Sequence, residues 1–103
     1  MEAVIKVLLN ESKPPVNKLA DAELHFQGGV LDGMKLVRFA VWRKRDRVGS
    51  QVILPSREFT VAGRRQRYAL LRPAGESNAQ NNVRDAVLDA YAACEAAARG
   101  SVQ

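Results

Sequence analysis

Hydrophobic and polar residues alternate most clearly over Lys18–Gln27. Ala20, Ala22, Leu24 and Phe26 fall on one side, and Asp21, Glu23 and His25 on the other. A period of two predicts a strand with one buried and one wet face. Gly28-Gly29 and Asp32-Gly33 then mark a turn. A second alternating run follows over Met34–Arg43. It places Val37, Phe39 and Val41 together, opposite Leu36, Arg38, Ala40 and Trp42. Upstream, Ala3–Leu9 reads as a strand that gives way to a loop at Pro14-Pro15, where a ladder lacks donors. Downstream, Gln51–Leu54 stops at Pro55. A second hairpin then runs from Glu58–Val61 through Gly63 to Arg65–Leu71, with Arg65 and Arg67 on one face and Gln66, Tyr68 and Leu70 on the other.

The period changes after Pro73. Val83, Val87, Tyr91 and Cys94 recur at helical spacing with Leu88 and several alanines beside them, while Asp85 and Asp89 face outward. Ser77-Asn78-Ala79-Gln80 has the form of a capping box, and Gly100 marks the stop. Glu95 and Arg99 stand at i,i+4 spacing. Consecutive strands followed by one helix predict an α+β fold, a mainly antiparallel sheet of about five strands with the C-terminal helix on one face. The chain of 103 residues reads as one domain, with strands over 2–54, a basic hairpin over 55–73 and the helix over 78–99.

Charge adds what periodicity does not. The net charge is +5, but residues 35–72 hold eleven Lys and Arg against two acids, a local +9. The remainder holds five bases against nine acids, a local −4. A basic block inside an acidic surround suggests a polyanionic partner; a solvated face that keeps the chain soluble is the alternative. Trp42 adjoins Arg43 and Tyr68 follows Arg67, an order suited to stacking a base while holding a phosphate. The competing reading makes both aromatics core or half-core residues, and it is the one adopted for Tyr68. The helix start, near Asn78–Asn82, offers free amides to an anion, although a plain polar first turn explains the same residues.

Catalytic motifs are missing from the sequence. His25, the one histidine, sits on a polar strand face, and Cys94 sits on an apolar helix stripe where a thiol acts as a small hydrophobe. A nucleophilic cysteine needs a nearby base. No metal-ligand spacing, P-loop or dinucleotide-binding glycine pattern occurs. These residues predict a non-enzymatic protein without cofactor or metal. The single cysteine fits a reducing cytoplasm. The first apolar run is short and interrupted by Lys6, unlike a signal peptide or membrane span.

Three stretches, in order, resemble the stage V sporulation protein G family. They are Val52-Ile53-Leu54-Pro55-Ser56-Arg57, an arginine-rich hairpin ending in Arg72-Pro73, and the helix Val83-Arg84-Asp85-Ala86-Val87-Leu88-Asp89-Ala90-Tyr91. Leu19–Phe26 and Lys35–Val41 look like that family's second and third strands, so the likeness spans about residues 2–91. Arg72 stands where the family has histidine, and Tyr68-Ala69 replaces its Arg-Asp pair, which marks a divergent branch. The resemblance implies a homodimer that joins strands and helices across subunits. It also implies a bacterial cytoplasmic regulator, tied to septation and sporulation in some members, that binds DNA or RNA. By position, Pro55, Ser56 and Arg57 match the family's loop, and Arg84 its basic helix position.

The expected nucleic-acid-binding residues are Arg43, Lys44, Arg45, Arg47, Arg57, Arg64, Arg65, Arg67 and Arg84. Their role would be phosphate neutralisation, which is largely blind to sequence. The alternative is a protein-interaction module whose basic face docks an acidic partner protein.

Overall fold

The computed structural model describes residues 2–11, 13–45, 48–75 and 78–100. Six strands precede one helix: β1 (Glu2–Leu9), β2 (Lys18–Gln27), β3 (Lys35–Arg43), β4 (Ser50–Ile53), β5 (Ser56–Val61), β6 (Arg64–Ala69) and α1 (Ala79–Gly100). The α+β class, the antiparallel pairing and the covering helix are as expected. The strands divide differently from a single sheet of about five. β1-β2-β3-β4 form one antiparallel sheet in that order, and β5-β6 form a separate two-stranded arm. The division falls at Leu54-Pro55, where proline lacks the N–H that a continuing ladder requires.

One face of the four-stranded sheet is the core. Ala20, Ala22, Phe39, Val41, Val52 and Leu54 are buried there against Val87 of α1. Ala22 stands directly opposite Phe39 across β2 and β3, and its small side chain leaves room for the ring. The helix packs on β1 and β4 and so crosses the sheet between its two edges. Val83, Leu88 and Tyr91 join Val87 on the packed side, as the helical spacing predicts. Burying a valine such as Val87, 1% exposed, is worth roughly 1.5–3 kcal/mol.

β3 departs from strict alternation. Ala22 pairs with Phe39 and Leu24 with Leu36, so two residues of β2 span three of β3. The extra residue is a bulge, and Arg38 within it has a left-handed φ of 78°. The bulge reverses parity. Leu36 joins the core side with Phe39 and Val41, and Val37, expected beside them, is exposed.

The capping box expected over Ser77–Gln80 falls partly on residues that are not described. Ser77 lies outside the described residues. The Gln80 amide donates to the Leu71 carbonyl at 3.4 Å. It thereby ties the helix start to the segment that leaves the arm.

Candidate nucleic-acid interface

The arm is short and stands apart from the sheet. Each strand has six residues, which extends it roughly 20 Å. β5 and β6 pair only with each other. The radius of gyration, 15.4 Å, exceeds the roughly 13 Å of a compact domain this size. An isolated two-stranded hairpin is marginal in water, so its root matters. Leu54 and Pro55 are buried in the body, and the Leu70 N–H donates to the Pro55 carbonyl at 2.9 Å. At the tip, Ala62 and Gly63 have φ of 52° and 76°, the paired positive angles of a two-residue hairpin turn.

Register divides the arm's side chains between two faces. Arg57 lies opposite Tyr68, Phe59 opposite Gln66 and Val61 opposite Arg64. On the reverse face Ser56 lies opposite Ala69, Glu58 opposite Arg67 and Thr60 opposite Arg65. Tyr68, expected to be core or half-core, instead lies outside the core. It is 44% exposed and stacks on Phe59 with ring centroids 4.7 Å apart and an interplanar angle of 4°. The Tyr68 hydroxyl donates to the Gln66 side-chain carbonyl at 2.6 Å, which fixes the ring's tilt. The reason is topological: a strand in a detached arm has no body to bury either face. Trp42 is half-buried in the main sheet.

The cations form a track along β4, α1 and the arm root. One open groove of about 650 Å³ lies between β4 and the first half of α1 and is lined by Lys44, Asn81, Arg84 and Asp85 with all four β4 residues. A second, about 240 Å³, shares Arg84 with the first and reaches Arg67 and Ser56. A third, about 550 Å³, shares Arg67 and Ser56 with the second and adds Arg38 and Arg57. Lys44, Arg84, Arg67, Arg57 and Arg38 therefore line three neighbouring grooves, with Arg67 and Arg57 reaching the third from opposite faces of the arm. Arg38 was not among the expected site residues. Its bulge alters which way the chain faces, and regular alternation gives no sign of a bulge.

The remaining expected residues are placed as follows. Arg64 and Arg65 flank the arm's tip on opposite faces. Arg43 sits on the helix side of the sheet, where its charge bears on the Tyr91 phenol. Arg45 is exposed beside the β3–β4 connection. Arg47 lies outside the described residues. Among the described residues, Arg43, Lys44, Arg45, Arg57, Arg64, Arg65 and Arg84 form no salt bridge. Arg67 does: its guanidinium meets Glu58 at 2.6 Å. That hydrogen bond, with the Arg67 and Arg65 charges, holds the Glu58 carboxyl below its usual range.

Other titratable groups lie elsewhere. His25 contacts Glu23 at 3.0 Å on the uncovered face of the main sheet, and Lys35 approaches the same carboxylate at 3.3 Å. The His25 hydrogen bond and then the Lys35 bond lower the Glu23 carboxyl. Cys94 is half-buried against the Val7 carbonyl. Among the described residues, no three His, Cys, Asp or Glu gather where they could hold a metal ion. No helix among the described residues is long and apolar enough to cross a membrane. No family model, curated protein or solved structure matched the chain.

Proposed function

We propose that this protein is a non-enzymatic, cytoplasmic nucleic-acid-binding regulator, a divergent relative of the stage V sporulation protein G family. The observation that carries the reading is the set of neighbouring grooves lined by Lys44, Arg84, Arg67, Arg57 and Arg38. A cationic groove follows a phosphate backbone by charge and releases its counterions. Arginine forks suit phosphate oxygens. Of these five cations only Arg67 forms a salt bridge among the described residues. The likeness in Leu54-Pro55-Ser56-Arg57 and in the helix supports the family reading, and the lone Cys94 thiol suits a reducing compartment.

A homodimer belongs to the same proposal. The sheet face away from α1 carries Val4, Leu8 and Ile53, all more than one-third exposed. A second copy laid there would cover them and double the cationic track. Sedimentation equilibrium tests this: a monomer at micromolar concentration removes the dimer from the proposal.

The test of function is fluorescence anisotropy with labelled duplex DNA and single-stranded RNA at 50 and 200 mM salt. The wild type is compared with Lys44/Arg67/Arg84→Ala. If about six phosphates are neutralised, affinity falls roughly 10³-fold across that range, and the variant binds weakly at both salts. No binding to either ligand at 50 mM refutes the reading.

A second reading rests on the free edge of β4. An extended acidic segment of a partner protein could add there as a strand, between β4 and α1, with Lys44 and Arg84 meeting its carboxylates. Binding of an acidic peptide without binding of nucleic acid would favour it.

A further inference from the structure

We infer that the ligand is single-stranded and that its bases stack on the Phe59–Tyr68 pair. The inference rests on the nucleic-acid reading and names the ligand's form. The phosphate track alone is indifferent to strandedness. The arm's aromatic face is not. Phe59 and Tyr68 are 40% and 44% exposed, and neither joins the hydrophobic core. Their rings already lie parallel, so an incoming base continues an existing stack rather than ordering loose side chains. Gln66 holds the Tyr68 hydroxyl in place.

Cations bracket the stack. Arg57 stands directly across from Tyr68, and Arg64 lies on the same face at the tip, paired with Val61. A strand crossing this face would meet a guanidinium on either side of the rings. Bases inside a duplex already stack on each other and hide their π-faces, whereas unpaired bases present theirs. A second copy of this chain is the competing occupant. A symmetric contact through this face would bring Arg57 and Arg64 of both copies onto one buried patch, and like charges disfavour that.

The test uses the full chain and an oligonucleotide carrying 2-aminopurine, as a single strand and as its duplex. Wild type should quench the probe's fluorescence in the single strand and bind it at least tenfold more tightly than the duplex. Phe59→Leu/Tyr68→Leu should bind the single strand roughly five- to hundredfold more weakly and lose the quenching. Its salt slope should stay as in wild type, because the track is intact. The exchange Phe59→Tyr/Tyr68→Phe keeps both rings while removing the Tyr68–Gln66 hydrogen bond. It should retain the quenching and bind within a few-fold of wild type, which separates lost stacking from a misfolded arm. Equal affinity for both forms, with the leucine variant binding normally, overturns the stacking while leaving nucleic-acid binding in place. Absence of binding to both forms overturns both readings. A leucine variant that changes subunit number in sedimentation shows a subunit contact and also overturns the inference.

Discussion

Phe59 of β5 and Tyr68 of β6 stack diagonally across the arm, with ring planes 4° from parallel. Diagonal neighbours on one face of a hairpin are within reach of aromatic side chains. The pair is therefore part of what holds the arm together. A double-mutant cycle with Phe59→Leu and Tyr68→Leu should give a coupling of about 0.5–1.5 kcal/mol, read from urea denaturation of the four proteins. Additive effects would show that the rings touch without stabilising each other.

The arm's turn carries a residue poorly suited to it. Ala62 has φ 52°, a region that disfavours a side chain, and Gly63 follows at 76°. Ala62→Gly should stabilise the arm by about 1 kcal/mol, visible as slower amide exchange along β5 and β6. Gly63→Ala should cost about as much, through φ alone. A Cβ built at Gly63 meets nothing within 4 Å.

Glu58 holds Arg67 on the face opposite the aromatics. Under the proposed function this carboxylate competes with phosphate for the guanidinium. Glu58→Gln should tighten nucleic-acid binding several-fold at 50 mM salt and steepen the log–log salt slope by about one. The gain should shrink at high salt. Weaker binding in the variant would mean that the ion pair positions Arg67 for its ligand rather than withholding it.

On the helix, the Tyr91 hydroxyl donates to Glu95, whose other oxygen meets Arg99 at 2.6 Å. Burial first, and then the Glu95 carboxylate, push the phenol up to about 12 from an ordinary 10. The folded state thus keeps its proton more tightly than the unfolded chain. The resulting stability is fully present below about pH 10 and is lost as pH rises through about 12. Thermal melts from pH 8 to 12 should show the wild-type advantage over Tyr91→Phe fading across that window. A constant difference would place the hydroxyl's contribution outside this linkage.

Local chemistry made much of this fold readable. Ala20–Gln27 alternates, and β2 forms over Lys18–Gln27 as expected, with a register shift at Leu19 where the alternation breaks. Val83, Val87 and Tyr91 repeat at helical spacing, and they pack on the sheet. The eleven-cation block of residues 35–72 is a property of composition, and no fold could disperse it far along the chain. The candidate site was legible as a set of arginines but not as neighbouring grooves. Arg84 is far from Lys44 and Arg67 in sequence, and the helix returning across β4 brings them to shared grooves.

By itself, the sequence determined the kinds of element, their order, and the charge they carry, because period, turn residues and proline act over a few neighbouring positions. Tertiary structure alone decided where parity broke and which faces stayed uncovered. The bulge at Arg38 exposes Val37 and turns Leu36 toward the core, since β3 must keep register with β2 on both sides of one extra residue. Tyr68 is exposed because β5 and β6 leave the main sheet at Pro55, and a detached pair of strands has no second layer against which to bury a ring.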